Sequence, residues 1–343
     1  MSKFSRDVGI DLGTANTLVY TPEKGIVVQE PSVVAVNNKT GQILAVGNEA
    51  KYMLGKTPPH ITVTRPLTHG IISDYEVTEK MLKYFIDKVH DDGHSFMTRP
   101  RIVICVPLDV TEVEAKAVED ASIAAGAREV HIVQEPMAAA VGVRMPIQDP
   151  IGNMIVDIGG GNTDVAIISL HGIVAWKSSQ IAGDEMNKSI VQYAREVFNL
   201  FIGESYAEQI KKKIGSAIPM NERTEFPMRG RDVLTGLPRE IMITNEHVYE
   251  ALERSVQTII DLIKSTLEIT PPELTADIHE RGMLITGGGA LLYGIDIAIS
   301  EVVGIPVRVS GDPLTDVVRG TGILLDNLEL LKEVELPSTR NVK

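Results

Sequence analysis

The sequence predicts an α/β protein built of two similar lobes, and three observations carry that prediction. The chain has 343 residues, more than the ~250–300 at which a single hydrophobic core stops growing. Short β-rich runs alternate with helical stretches along its whole length. A strand–turn–strand pattern also occurs twice. Ile10-Asp11-Leu12-Gly13-Thr14-Ala15-Asn16-Thr17 is answered by Val156-Asp157-Ile158-Gly159-Gly160-Gly161-Asn162-Thr163-Asp164. Each copy is an apolar strand ending in Asp, then glycine, then small hydroxyl or amide residues, then a second strand. Two related hairpins in two halves imply two similar lobes facing each other across a cleft.

In the first half, Val8–Leu12 reads as a strand and Thr17–Tyr20 as its partner. Residues 25–29 and 32–36 continue as strands, and a polar turn at 37–41 leads to Ile43-Leu44-Ala45-Val46. Val77, Met81, Leu82, Phe85, Ile86 and Val89 recur at helical spacing and predict a helix over 76–90. Strand 101–106, a helix over 111–125 opened by Thr111, strand 129–133 and a helix over 136–143 with Pro136 at its first position follow. The second half restarts with strands 154–158, 165–168 and 173–176, then helices over 184–199 and 205–214. Residues 219–245 read as a small β-containing insertion. A long helix over 246–267 is ended by Pro271-Pro272, and strand 283–285 leads into Gly287-Gly288-Gly289. The last helix runs from Thr315 to 332, broken by Gly320 and Gly322.

Composition narrows the function classes. Apolar residues make up 43% and charged residues 23%, which excludes a disordered chain. The net charge of −13 argues against a basic nucleic-acid footprint, and 4% aromatics argues against base-stacking platforms. The single Cys105 excludes an internal disulfide and a multi-cysteine metal site, and its apolar run 102–106 predicts a buried thiol. The N-terminal residues carry no signal-peptide pattern, and no segment approaches the ~18 uncharged apolar residues of a spanning helix. The chain reads as soluble and cytosolic.

Glycine at both hairpin turns lets backbone N–H groups close on an anion. Thr14, Asn16 and Thr163 would add side-chain donors. Asp11 and Asp157, one per half, could hold a hydrated Mg2+, a cation that keeps several waters and takes one or two carboxylates plus phosphate. Gly287-Gly288-Gly289-Ala290 would let a nucleoside or its phosphate approach the backbone and a helix N-terminus, or is a tight strand-to-helix connection. Glu135 either complements the helix beginning at Pro136 or holds an attacking water. Gly55-Lys56-Thr57 imitates the end of a Walker A loop, but Ala50 stands where its first glycine must be, and Pro58-Pro59 forbids the following helix. No G-x-G-x-x-G is present: Asp164 and Leu292 occupy the last glycine slots. His90 and His94 have a ligand spacing, but Gly93 breaks the helix and no third ligand is evident.

Together these stretches resemble the actin superfamily, and within it the bacterial MreB cytoskeletal family. Its five motifs occur in order: Asp11–Thr17, Gln134–Gly142, Asp157–Gly161, Leu284–Leu292 and Val318–Gly322. Glu30–Ala35, Met53–Pro58, Arg229–Asp232, Leu237–Arg239 and Pro271–Leu274 resemble MreB wording further, and the match covers residues 7–332.

The resemblance implies an actin-like ATPase fold: two similar α/β domains, each with a smaller subdomain, and ATP·Mg2+ in the cleft between them. One core would comprise 1–32, 66–144 and 315–343, with 33–65 as its subdomain. The other would comprise 145–182 and 247–314, with 183–246 as its subdomain. Asp11, Gly13, Thr14, Ala15 and Asn16 would cradle phosphate with Gly159, Gly160, Gly161, Asn162 and Thr163. Asp11 and Asp157 would order the metal's waters, and Glu135 would position the hydrolytic water, with Asp157 and Asn162 beside it. Gly183, Glu208, Lys211, Lys212, Gly287, Gly288, Gly289 and Ala290 would contact the nucleotide. Asn162 departs from the family's usual threonine. This leaves open slow hydrolysis, or nucleotide binding in a filament with little or no turnover. A monomeric phosphotransferase on the same fold is the rival class.

The resemblance further implies a homopolymeric filament of the rod-shape cytoskeleton, cytoplasmic and peripherally attached to the inner face of the membrane. Phe96 and Met97 would insert, with Arg99 and Arg101 favouring anionic headgroups. Phe4 is a second, weaker anchor. Membrane-protein adaptors of the cell-wall elongation machinery would be its partners, and nucleic acid would not.

Overall fold

The structure, a computed structural model, describes residues 7–90 and 99–337. It contains two compact units. The first takes the chain up to Pro150 and adds Ile168–Ile173 and the stretch from Leu314 onward; the second comprises Ile151–Ile167 and Val174–Pro313.

The first unit runs β1 (Val8–Leu12), β2 (Asn16–Thr21), β3 (Gly25–Pro31), β4 (Val34–Asn37), β5 (Gln42–Val46), α1 (Asn48–Met53), β6 (Ile61–Thr64), β7 (Leu67–Thr68), β8 (Ile71–Ile72), α2 (Tyr75–His90), β9 (Arg101–Val106), α3 (Glu112–Ala124), β10 (Glu129–Gln134) and α4 (Glu135–Gly142). Its main sheet has the order β10-β9-β1-β2-β3. β1, β2 and β3 form an antiparallel meander, and β9 and β10 extend it in parallel. A second sheet, β5-β4-β6, stands beside it.

The chain continues with β11 (Asn153–Ile158), β12 (Thr163–Ser169), β13 (Gly172–Ser179), α5 (Gly183–Phe198), β14 (Leu200–Phe201), α6 (Glu204–Ile214), β15 (Glu225–Asp232), β16 (Pro238–Thr244), α7 (Asn245–Glu268), α8 (Pro272–Arg281), β17 (Met283–Thr286), α9 (Ile295–Val303) and β18 (Val307–Val309). Helices α10 (Asp316–Asp326) and α11 (Leu328–Val334) then return to the first unit. The second main sheet is β13-β12-β11-β17-β18, with β17 parallel to β11 and β18 parallel to β17. A small sheet, β14-β15-β16, accompanies it.

The two main sheets share one plan. Read from the hairpin side they are β3-β2-β1-β9-β10 and β13-β12-β11-β17-β18. The repeated motif therefore marks a repeated topology, not merely two similar turns. Strands covered on both faces read as continuous apolar runs, and Ile102 to Val106 are all buried, Cys105 among them. Helix α2 adds Met81, Leu82 and Phe85 to that core at helical spacing. Thr111 opens α3 through a reciprocal cap with Glu114, as its sequence position predicts.

Three details depart from the sequence reading. Gly320 and Gly322 do not break the last helix: α10 runs through both and ends before Asn327, whose Oδ1 accepts the Leu330 N–H at 3.2 Å to start α11. The glycines answer to packing instead. A Cβ on Gly320 would stand 1.8 Å from the Ala138 carbonyl oxygen, and one on Gly142 would stand 2.0 Å from that of Asp316. Helices α4 and α10 thus touch backbone to backbone. Pro272 not only stops α7 but begins α8, where a missing N–H is harmless. Strands β6, β7 and β8 were not anticipated; β7 and β8 have two residues each, which carry no readable period, and β6 has only four.

Candidate functional site

Each main sheet ends its first strand in an aspartate followed by a glycine-cornered turn. The two turns close alike. A Cβ on Gly13 would lie 2.7 Å from the Asn16 carbonyl oxygen, and one on Gly159 would lie 3.0 Å from that of Asn162. In both turns the carbonyls are tied back. Ser32 Oγ donates to the Gly13 carbonyl at 2.6 Å and the Ser32 N–H to that of Ala15 at 3.1 Å, with Thr17 Oγ1 2.8 Å from Ser32 Oγ. In the second unit the first two amides of α5 do this work: Gly183 N–H donates to Gly159 at 3.1 Å and Asp184 N–H to Gly160 at 2.7 Å. A trans peptide points its C=O and N–H in opposite directions. Tying these carbonyls back points the N–H of each following residue to the opposite side of its peptide plane, and a glycine-cornered turn of this kind is able to cup an anion.

The side chains sort themselves by their partners. Thr14 Oγ1 accepts the Gly70 N–H at 2.6 Å, which leaves its own proton for another acceptor. Thr163 was expected to add a side-chain donor, but it is fully buried and donates its hydroxyl to the Ile181 carbonyl at 2.7 Å. Asn162 Nδ2 donates to Asp164 Oδ2 at 2.9 Å. Asp157 is buried at the end of β11. Desolvation pushes the Asp11 carboxyl up from 3.8 to about 7. A carboxylate disfavoured in this way is one that a nearby divalent cation would relieve, so the group suits a metal-ordering role.

The third glycine cluster is explained by its own chain. Gly287 has φ +80, and a Cβ there would stand 2.3 Å from Asp157 Oδ1; one on Gly289 would stand 2.1 Å from Ile158 Cγ2. These glycines let the segment after β17 cross the end of β11. The segment Gly288–Leu291 is a single 3₁₀ turn containing buried Ala290, and the α-helix begins only at Ile295, so the expected helix N-terminus does not follow the glycines directly.

Lys211 Nζ donates to the Gly183 carbonyl at 2.5 Å, linking α6 to the start of α5 beside the second turn. Lys212 is turned away from it, exposed and paired with Glu208 at 2.6 Å one helical turn back. Glu135 is buried in the first turn of α4, one residue earlier in the helix than the sequence predicted, with Gln134 as N-cap. Phe4, His94, Phe96 and Met97 lie outside the described residues. Arg101, read as facing lipid headgroups, instead binds Asp7 at 2.5 Å and is mostly buried. No cluster of three metal-ligating side chains, and no helix long and apolar enough to cross a membrane, occurs among the described residues.

Sequence reasoning missed Ser32, Gly70 and Asp184. Gly70 and Asp184 act through backbone amides that almost any residue supplies, whereas Ser32 acts through its hydroxyl as well, and only Ser32, within Glu30–Ala35, carried any signal.

A doubled meander-plus-parallel plan with an Asp-Gly turn on the first strand of each half defines the actin-like fold. The solved double helical filament of MamK shares that fold, with a TM-score of 0.79 at 22% identity over 93% of this chain and 98% of that one. Within this class, the chain belongs to the MreB/Mbl protein family, whose profile matches residues 5–333. It is 48% identical over 328 residues to the cell shape-determining protein Mbl of Bacillus cereus, covering 96% of this chain and 98% of the relative. It is 37% identical to MreB5 of Spiroplasma citri, solved bound to ADP, with a TM-score of 0.90 over 95% of this chain and 97% of that one.

Proposed function

We propose that this protein is an ATP-binding cytoskeletal element that determines cell shape by forming membrane-associated filaments, with ATP hydrolysis setting their lifetime. The observation that carries the nucleotide reading is the pair of glycine-cornered turns whose carbonyls are tied back, one on each main sheet. Support comes from the family, from a relative named for cell-shape determination and from the ADP-bound MreB5 structure. In this reading Thr14, Ala15, Asn16, Gly160 and Gly161 hold phosphate, Glu208 and Lys211 lie toward the adenosine, and Asp11 and Asp157 hold the waters of a Mg2+ that neutralises phosphate charge. Glu135 accepts a proton of the attacking water and orients its lone pair toward the terminal phosphorus.

A filament follows if the ATP-bound form favours a head-to-tail contact that does not close into a ring. The membrane contact falls to Phe96 and Met97, and self-association and adaptor binding follow the family pattern. Pelleting with Mg·ATP, with and without anionic vesicles, tests this. Sedimentation that requires nucleotide is expected. A chain that stays monomeric at micromolar concentration in both arms sinks the filament reading, and liposome co-sedimentation unchanged by Phe96→Ser/Met97→Ser sinks the anchor. Phosphoryl transfer to a sugar in a coupled assay would favour the phosphotransferase class instead.

A further inference from the structure

Asn162 immediately precedes β12 and Asp164 lies two residues on, so the strand period of two places both side chains on one face. Asp164 is fully buried and Asn162 nearly so. Asn162 Nδ2 donates to Asp164 Oδ2 at 2.9 Å. A carboxylate only accepts, so the carboxamide must turn its nitrogen to Asp164 and its oxygen the other way. The Asn162 backbone is held as well, because its carbonyl accepts the Gly159 N–H at 2.9 Å. The Oδ1 atom lies on the Gly159 side of the turn, 3.5 Å from where a Cβ of residue 159 would stand. It has no hydrogen-bond partner among the described residues.

We infer that Asp164 is a positioning residue for hydrolysis: it locks the Asn162 carboxamide so that Oδ1 is a fixed acceptor for a proton of the water attacking the terminal phosphate. This rests on the nucleotide reading above, in which the Gly159–Gly161 turn holds that phosphate. In the reaction the water oxygen bonds to the terminal phosphorus while the bridging P–O bond breaks. The diphosphate leaves with the electron pair, and the water's proton passes to the new inorganic phosphate. Acceptors on the water's protons aim its lone pair. A carboxamide accepts in only one of its two orientations; reversed, it offers N–H groups and turns the water away. A hydroxyl rotates freely and both donates and accepts, so a threonine at position 162 needs no lock. Asparagine at this position therefore depends on a buried carboxylate two residues on.

A mutant cycle tests this, read as single-turnover phosphate release at saturating ATP·Mg2+. Asp164→Asn frees the carboxamide to turn over and is expected to slow release about tenfold. In the Asn162→Thr background the same change is expected to cost less than about twofold, because the rotating hydroxyl needs no orienting partner. An Asp164 that merely supported the fold would give equal losses in both backgrounds. That outcome, or a parental rate in Asp164→Asn, overturns the inference, as does a parent that binds nucleotide but releases no phosphate. If circular dichroism shows Asp164→Asn unfolded, Asn162→Ala carries the test: it removes the acceptor, the same tenfold loss is expected, and a parental rate refutes. Calorimetric titration of the parent with ADP·Mg2+ separates the two levels. Absence of binding sinks the nucleotide reading itself, whereas binding with unaltered variant kinetics sinks only the role of Asp164.

Discussion

Replacing Gly320 by alanine tests the backbone contact between α4 and α10. The new Cβ would stand 1.8 Å from the Ala138 carbonyl oxygen, 2.5 Å from its carbon and 3.1 Å from its Cα. Ordinary carbon contacts begin at about 3.5 Å, so one helix must retreat by more than an ångström. The obstacle is main chain and cannot rotate aside. Neither helix has room to give: Ala138, Ala139, Ala140, Val318 and Thr321 are all fully buried. Overpacking by one methyl group costs about 1–3 kcal/mol, and a gap of this size forfeits a further quarter to half of the dispersion contacts along the seam, roughly 2 kcal/mol. Alanine recovers ~1 kcal/mol of helix propensity. The net expectation is a loss of about 3 kcal/mol for Gly320→Ala, and a similar loss for Gly142→Ala. Because one retreat makes room for both methyls, the double variant should lose less than the sum, by more than about 1 kcal/mol. Gly311→Ala, where a Cβ meets nothing within 4 Å, is the control and should be neutral or slightly stabilising. Urea unfolding followed by circular dichroism supplies the measurement. Parental midpoints for Gly320→Ala and Gly142→Ala, or losses that add fully, would refute the seam as described.

Three further outcomes are expected. The folded-state pKa of Asp11, about 7, lies above its ordinary 3.8, so the nucleotide-free protein should lose stability as pH rises between those values and stay less stable above them. Asp11→Asn should remove that slope and raise urea resistance near pH 8 by ~2 kcal/mol, about half the full shift because Asp11 keeps some contact with water; an unchanged slope would remove Asp11 as its source. Glu135→Ala should retain nucleotide binding in calorimetry while slowing phosphate release at least ~100-fold, and equal rates would take Glu135 out of the mechanism. Ser32→Ala unties the Gly13 carbonyl and should cost about 1–2 kcal/mol of stability and weaken ADP binding several-fold; parental affinity would mean that the turn holds its shape without Ser32.

Much of this was legible from the chain because it rests on local pattern. The twin Asp-Gly turns, the periodicity of α2 and the Thr111 cap are written in residues a few places apart, and each appears in the structure. What could not be read was set by distant neighbours. Gly320 looks like a helix breaker until Ala138 is placed against it. Nothing local shows that Gly287 must also clear Asp157 and Ile158, or Gly289 Ile158, each of which a Cβ there would strike. Thr163 looks like a phosphate donor until the Ile181 carbonyl takes its proton. Composition and spacing reveal that a residue is small or polar; only the fold reveals which partner requires it to be so.

The two turns share a glycine corner and tied-back carbonyls but are buttressed differently, by the hydroxyl and N–H of Ser32 in one half and by the opening of a helix in the other. The half leaning on Ser32 can be altered by a single codon change, whereas the half leaning on α5 draws on main-chain groups that almost any side chain supplies. Genetic drift and selection thus have an unequal handle on two otherwise similar turns: a change at Ser32 reshapes the first, whereas most side-chain exchanges at the start of α5 leave the ties of the second in place.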